Sequence, residues 1–367
     1  MIEFTLPKWY DLHTHFRQGD VLEPYIKAHL DMGCAGALAM PNTKPPTAVV
    51  FEKDENGEYW SIERYMRDLR VAGADKFKEL IVPLYLTKDT TPEMIIKGAA
   101  SGLLKACKSY PPHGTTGAEF GVPITEFIDN GVFEAMEQAG IVLCVHGEEH
   151  GLSSDRYFDK GENAESIFYD NYMPMVRGKF PNLKIVCEHV TTKKAVDFVL
   201  GAGVNTAATI TPQHLIYTIG DLIQGLKYHL FCLPVLKYVE DRQALREAVI
   251  DLNNTQFFAG TDSAPHTTKA TDCGCAAGCF TGGIAPQLYA QGFELAGIDL
   301  SAQNGQEILR KFLCENGAKF YGLNLPDDSF ILRKVEMPLE MLQTSEGNVT
   351  PLPLGLKKTT LPWSIKL

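Results

Sequence analysis

Several features are missing from this sequence, and each absence excludes something. No block of lysine and arginine occurs, and the formal net charge is −11. A general nucleic-acid binder would carry a basic patch or tail, and an acidic surface disfavours anionic membranes. A small anionic substrate stays allowed, because a few local cations can dominate inside a cleft. No apolar run reaches the roughly 18 residues of a membrane span. The opening Met1-Ile2-Glu3-Phe4 lacks the basic and apolar regions of a signal peptide. The nine cysteines are an odd number, scattered through apolar segments such as Val142-Leu143-Cys144 and Val186-Cys187. That pattern predicts reduced, buried thiols in a cytoplasmic protein, not a disulfide framework. Repeats, low-complexity tracts and interdomain linkers are also absent, so residues 1–367 read as one domain.

What is present centres on Trp9 to Arg17, W-Y-D-L-H-T-H-F-R. Side chains on a strand alternate faces with a period of two. Asp11, His13, His15 and Arg17 are therefore expected on one face, and two imidazoles so spaced can reach one ion. Standing alone, His-x-His is most simply a half-buried strand. The rest of the chain changes that reading.

Short apolar runs predict strands at 10–15, 36–40, 81–86, 102–108, 141–146, 184–189, 204–211 and 257–261. Helical spacing follows at 21–32, 62–69, 124–138, 164–176, 192–200, 241–252, 287–296 and 303–321, and Thr91-Pro92-Glu93 reads as a helix start. The stretches 43–58 and 109–122 read as loops. Eight buried strands alternating with helices predict an α/β fold, a (β/α)8 barrel. A doubly wound sheet would place a glycine-rich phosphate loop after its first strand, where this chain has His-Thr-His. The Pro-rich tail 323–367 reads as an extension packed on the barrel.

Active sites of such barrels lie at the C-terminal ends of the strands. His13 and His15 end strand one, Asn42 follows strand two, Lys108 ends strand four, His146 ends five, His189 ends six, and Asp262 follows eight. Each has an ordinary explanation, a capped core histidine or an Asx turn. Together they predict a metal site. A lysine ammonium there would be electrostatically unfavourable, but its neutral amine can add carbon dioxide and become an anionic, metal-bridging carbamate. A snorkelling surface lysine is the plain alternative, and Lys105 is the nearby competitor.

The segments D-L-H-T-H-F-R (11–17), A-M-P-N-T (39–43), A-C-K-S-Y-P (106–111), V-H-G-E (145–148), E-H-V-T-T-K (188–193), C-L-P-V-L-K (232–237) and G-T-D-S-A-P-H (260–266) carry a resemblance. The chain resembles the amidohydrolase superfamily and, within it, the homodimeric bacterial dihydroorotases. The resemblance implies two zinc ions. His13, His15 and Asp262 would hold one, His146 and His189 the other, and a carboxylated Lys108 (N6-carboxylysine) would bridge both together with a hydroxide. It also makes Asp262 the catalytic proton shuttle. Substrate contacts would come from Arg17, Asn42 and His266 to a carboxylate, from backbone near Ala276 and at Leu233, and from Thr115 and Thr116 on a lid flanked by Gly114 and Gly117. Arg17 suits this for its own reason, since its planar fork matches a carboxylate.

The implied reaction is reversible hydrolysis of (S)-dihydroorotate to N-carbamoyl-L-aspartate in de novo pyrimidine synthesis, in a cytoplasmic homodimer. The rivals are a related cyclic amidohydrolase (hydantoinase, dihydropyrimidinase or allantoinase) and a non-catalytic barrel scaffold. The run Cys273 to Cys279, C-G-C-A-A-G-C, reads as a tight backbone turn and not as a zinc knuckle. Its spacing departs from the family pattern. His29, His113, His150 and His229 are expected to be structural, and His214 either structural or a support for the site.

Overall fold

The computed structural model describes residues 2–272 and 274–367. Its centre is a parallel barrel. We label the strands β1 (Trp9–Thr14), β2 (Cys34–Ala39), β3 (Glu79–Ile81 and Leu84–Tyr85), β4 (Ala106–Ser109), β5 (Val142–Val145), β6 (Ile185–Cys187), β7 (Thr206–Ile210) and β8 (Phe257–Ala259). Each pairs in parallel with its neighbours in sequence order. Pro83 lacks an N–H for the ladder and splits β3. Its first piece pairs with β2 and its second with β4. The circle closes at the top, where the Asp262 N–H donates to the His13 carbonyl (2.8 Å) and the His15 N–H donates to the Ser263 carbonyl (3.0 Å).

The strands are apolar because both faces are covered. Leu12, Leu38, Ile81, Ala106, Val142, Val186, Ala207 and Phe258 form one cluster with a member from every barrel strand, which places it inside the barrel. Ala318, on the helix Asn316–Tyr321, joins that cluster. A larger cluster packs the outer strand faces against the helices. The Thr91 side chain caps the helix Pro92–Ala100, accepting from the Met94 N–H. Thr192 does the same for Lys193–Gly201.

Several expectations need correction. The stretch 124–138 is not one helix. Gly131 takes φ 84°, so a short 3-10 turn precedes the helix Val132–Ala139. The loop 43–58 holds a short strand, Thr47–Val49, paired with Trp60–Ser61. The tail is more than extended packing. Its strand Ser329–Arg333 pairs antiparallel with an unforeseen N-terminal strand, Glu3–Pro7, and with Ser364–Lys366. The face assignment in β1 also changes. An irregularity between Asp11 and Thr14 turns Asp11 outward, towards His29 on the helix Leu22–Asp31 (3.1 Å), while Leu12 points inward. A bulge re-aims side chains in this way. No helix among the described residues is long and apolar enough to cross a membrane.

Candidate metal centre and substrate cavity

The top of the barrel gathers the histidines. Ligand atoms of His13, His15 and Asp262 all lie within 4.8 Å of one another. Asp262 Oδ1 is 3.1 Å from His15 Nε2 and 3.4 Å from His13 Nε2. The His189 ring centre stands 4.8 Å from that of His13 and 4.7 Å from that of His146. The strand ends thus bring together four imidazoles and one carboxylate from β1, β5, β6 and β8.

Three of the imidazoles are oriented from behind. His13 Nδ1 meets Glu188 Oε2 at 2.7 Å, His15 Nδ1 meets Asn42 Oδ1 at 2.9 Å, and His146 Nε2 meets Glu148 Oε2 at 2.8 Å. Such partners fix the tautomer and leave the other ring nitrogen free for a metal. Glu188 is itself held by a hydrogen bond from the Thr209 hydroxyl (2.5 Å). Glu188 and Glu148 were not singled out from sequence. Each sits beside a histidine of the cluster, in Glu188-His189 and in His146-Gly147-Glu148, and that adjacency was the available signal.

Burial and partners set the charges. Burial keeps His15 neutral, down at about 4. It also lowers His146 and, helped by His146, His13 and Lys108, pushes His189 well below its ordinary value. Burial is the largest influence on His13 and works against its charged form, but Glu188 and Asp262 together outweigh it and leave that ring raised. Burial would raise the Asp262 carboxyl, yet the adjoining His13 and His15 rings hold it well below the usual carboxylate range. Asp262 (φ 47°) and His189 (φ 40°) both adopt left-handed backbone, unusual for residues with a Cβ.

Lys108 is fully buried on β4, and its Nζ has no hydrogen-bond partner. Burial pulls its ammonium below the ordinary value, with Glu188 and Asp262 opposing. A buried ammonium without partners is costly, whereas a neutral amine is ready to take up carbon dioxide. His189 Nδ1 and Glu188 Oε1 are likewise buried without partners. The donor set, imidazole nitrogens around carboxylate oxygen, is one that zinc and similar ions accept. The residues therefore fit a metal centre.

The cavity beside them is lined by His13, His15, Arg17, Asn42, Tyr110, Thr115, Thr116, Leu233, Ala277 and Gly278, among others. At about 20 Å³ it has room for little more than one water. The loop bearing Thr115 and Thr116 forms part of its wall. Asn42 joins that loop to the metal site, since its Nδ2 donates to the Thr116 carbonyl (2.8 Å). A much larger groove, about 1030 Å³, lies elsewhere, among Lys8, Lys27, Lys76, Asp75 and Asp328. Its charges are mixed and it holds no histidine, so its volume alone carries no chemistry.

Arg17 Nε donates to the Pro265 carbonyl (3.3 Å), and one terminal nitrogen lies 3.1 Å from His266 Nε2. No carboxylate of the described residues lies within 4 Å of this guanidinium. His266 does not line the cavity itself, and its Nε2 also meets the Ala277 carbonyl at 2.8 Å. One nitrogen cannot accept from Arg17 and donate to a carbonyl at once. Burial and Arg17 hold His266 down at about 3, so the ring is neutral and chooses one partner at a time.

One assigned position shifts. The Ala276 backbone is consumed locally, its N–H donating to the Lys269 carbonyl (2.8 Å) and its carbonyl accepting from Lys269 Nζ (2.5 Å). The wall is made by Ala277 and Gly278 instead. A Cβ at Gly278, which has φ 141°, would stand 2.6 Å from Ala264 Cβ, so only glycine fits. The Cys-rich turn is described from residue 274 onwards, and Cys273 lies outside the described residues. Cys275 and Cys279 are free thiols.

Tyr110 was not foreseen. It lines the cavity, its hydroxyl is buried without a partner, and Lys108 Nζ lies 5.0 Å from its ring centre. The signal was its place two residues after Lys108, on the same face of an extended strand.

No family model matches the sequence. Among curated relatives, the chain is 38% identical over 373 residues to the dihydroorotase of Shewanella loihica, covering all of both. It is 40% identical over 351 residues to that of Stutzerimonas stutzeri, covering 94% of each. Among solved structures, dihydroorotase of Saccharomyces cerevisiae in complex with 5-fluoroorotic acid superposes with a TM-score of 0.85 at 29% identity, covering 100% of this chain and 99% of that one. The L-hydantoinase of Arthrobacter aurescens shares the fold at a TM-score of 0.75 and 16% identity, over 99% of this chain and 83% of its own.

Proposed function

The chain belongs to the dihydroorotase family, and from that premise we propose how its own residues serve the reaction. It is a cyclic amidohydrolase that interconverts (S)-dihydroorotate and N-carbamoyl-L-aspartate, the third step of de novo pyrimidine synthesis. The observation that carries our reading is Arg17, a guanidinium facing a metal-competent cluster with no carboxylate of its own. It supplies what a substrate carboxylate needs, a planar fork with free N–H groups.

In this reading His13, His15 and Asp262 would hold one zinc and His146 and His189 a second, and a carboxylated Lys108 would supply further anionic oxygen to them. Carboxylation adds carbon dioxide to the neutral amine, forming an N–C bond and releasing one proton. When bound, the metal pair would supply an activated water and polarise the ring carbonyl. Asp262, whose carboxyl stays ionised, takes the proton of the attacking water and delivers it to the departing ring nitrogen. Arg17, with Asn42 and the neutral His266 beside it, fixes the substrate carboxylate. Leu233 and the Ala277–Gly278 wall offer backbone groups to the ring. Thr115 and Thr116 close over the mouth and exclude water.

We take residues 1–367 as one functional domain, with 323–367 as an extension tied to the N-terminal strand. We further propose that it works as a cytoplasmic homodimer on a small anionic substrate, with no nucleic-acid or membrane partner. The rival readings, a hydantoinase-like amidase or an inert scaffold, do not account for the free guanidinium beside the cluster. Steady-state rates on dihydroorotate, hydantoin and dihydrouracil separate them, together with metal analysis of the purified protein. Two zinc per chain and a preference for dihydroorotate are expected. Preference for an uncharged ring, or a metal-free inactive protein, defeats the reading.

A further inference from the structure

The turn after His266 has the cysteine spacing of a metal knuckle, yet a different cation sits at its centre. Lys269 is only 8% exposed. Its Nζ donates to the carbonyls of Phe231 (2.6 Å), Ala276 (2.5 Å) and Gly278. An ammonium has three N–H donors, and all three are spent on backbone carbonyls. No carboxylate of the described residues lies within 4 Å of it, so the three carbonyl dipoles, with the Phe231 ring centre 6.0 Å from Nζ, compensate a buried charge. The thiols here do other work. Cys275 Sγ faces the Tyr228 carbonyl and Cys279 Sγ the His229 carbonyl.

The carbonyls belong to two separate segments, and both segments wall the substrate cavity. Phe231 stands two residues before Leu233, which lines it. Ala276 and Gly278 flank Ala277, and Ala277 and Gly278 also line it. The segments are further joined by the Gly278 N–H, which donates to the Phe231 carbonyl (3.0 Å). The Ala276 N–H returns to the Lys269 carbonyl (2.8 Å), closing the turn on the lysine itself. The Ala277 carbonyl so placed is the one that meets His266, the neighbour of Arg17.

We propose that Lys269 is a positioning residue for substrate recognition: its ammonium replaces a metal as the internal cation that registers the Leu233 segment against the Ala277–Gly278 segment. The assignment rests on the dihydroorotase reading, and it touches none of the metal-site residues. Removing the ammonium frees the two segments to drift apart, and misplacement by about 1 Å in a site can cost on the order of a hundredfold. The loss falls on substrate binding, since neither metal nor proton shuttle is disturbed.

The experiment measures kcat and KM of wild type, Lys269→Met and Lys269→Arg on dihydroorotate, with metal content and Tm recorded for each. In Lys269→Met, KM is expected to rise roughly ten- to a hundredfold, with kcat changed less than KM and zinc content equal to wild type. Lys269→Arg, whose planar fork cannot converge on three carbonyls, falls between. In Lys269→Ala, added n-propylammonium is expected to lower KM towards the wild-type value. A merely structural lysine would show none of this split or rescue. If the Met variant is insoluble, Lys269→Gln is read in the same way. An unchanged KM, a fall in kcat alone, or loss of zinc overturns the proposal. A wild type inactive on dihydroorotate overturns the functional reading instead, so the two failures are told apart.

Discussion

Replacing Arg17 by methionine removes the guanidinium while keeping most of the side chain's bulk. In the structure Nε is occupied by the Pro265 carbonyl, and one terminal nitrogen leans on His266. The end of the fork remains free, enough for two parallel bonds to a carboxylate. A hydrogen bond to a charged group contributes about 1.5–3 kcal/mol, so the pair contributes about 3–5 kcal/mol once its overlap is discounted. At about 1.4 kcal/mol per tenfold, kcat/KM on dihydroorotate should fall roughly 10²- to 10⁴-fold. Arg17→Lys keeps a point charge but loses the fork, and should fall about 10- to 100-fold. The assay follows ring opening on dihydroorotate and, in parallel, on dihydrouracil, which has the ring amide and no carboxylate. Weak wild-type turnover of dihydrouracil should survive in both variants. Equal losses on the two rings would mean that Arg17 supports the metal site or the fold, and the carboxylate argument would be refuted.

Lys108→Ala should lose most bound zinc and activity, and a short carboxylic acid such as acetate should restore part of the activity by standing in for the carbamate; unchanged metal content would show that another residue bridges. His214 is buried against Thr211 and the Pro234 carbonyl, and burial holds it down at about 4 against an ordinary 6.5. Below 6.5 the unfolded chain binds a proton that the folded chain refuses until about 4, so stability present at neutral pH is lost as pH falls through that window. The loss is about 3 kcal/mol. Denaturant unfolding of wild type and His214→Gln at pH 7 and pH 4 checks it, and parallel declines in the two proteins would rule the histidine out as the cause.

The barrel was legible because each strand is covered on both faces and so reads as a short apolar run. The histidine cluster at the barrel mouth was legible for a related reason: His146 and His189 stand where such runs stop, at the C-terminal ends of the strands. What escaped depends on partners distant in sequence or on a single dihedral angle. Glu3–Pro7 is five residues long and becomes a strand only by pairing with Ser329–Arg333, a partner that no local pattern announces. Asp11 shares the period of His13 but faces away from it, because the irregularity in β1 resets the alternation. Ala277, not Ala276, faces the cavity because Lys269 captures both polar groups of Ala276. Tyr110 looks apolar in sequence, and only its unpartnered hydroxyl in the cavity wall marks it.

The residues assigned to chemistry are also the residues that close the fold. β1 and β8 meet through the Asp262 N–H on the His13 carbonyl and the His15 N–H on the Ser263 carbonyl. Below that seam, buried Asp11 accepts from the Thr261 N–H (3.0 Å) and hydroxyl (2.6 Å) and faces His29 Nε2, which also meets the Thr14 hydroxyl (3.0 Å). His29, expected to be an ordinary structural histidine, thus braces the strand that carries the His pair. This lattice lets Asp262 persist at φ 47°, a conformation that costs a non-glycine residue about 1–2 kcal/mol. With relaxed backbone, Asp262 would aim its carboxylate away from His13 and His15. Barrel closure therefore does more than hold a cluster in place, because hydrogen bonding across the last seam gives the Asp262 carboxylate its direction.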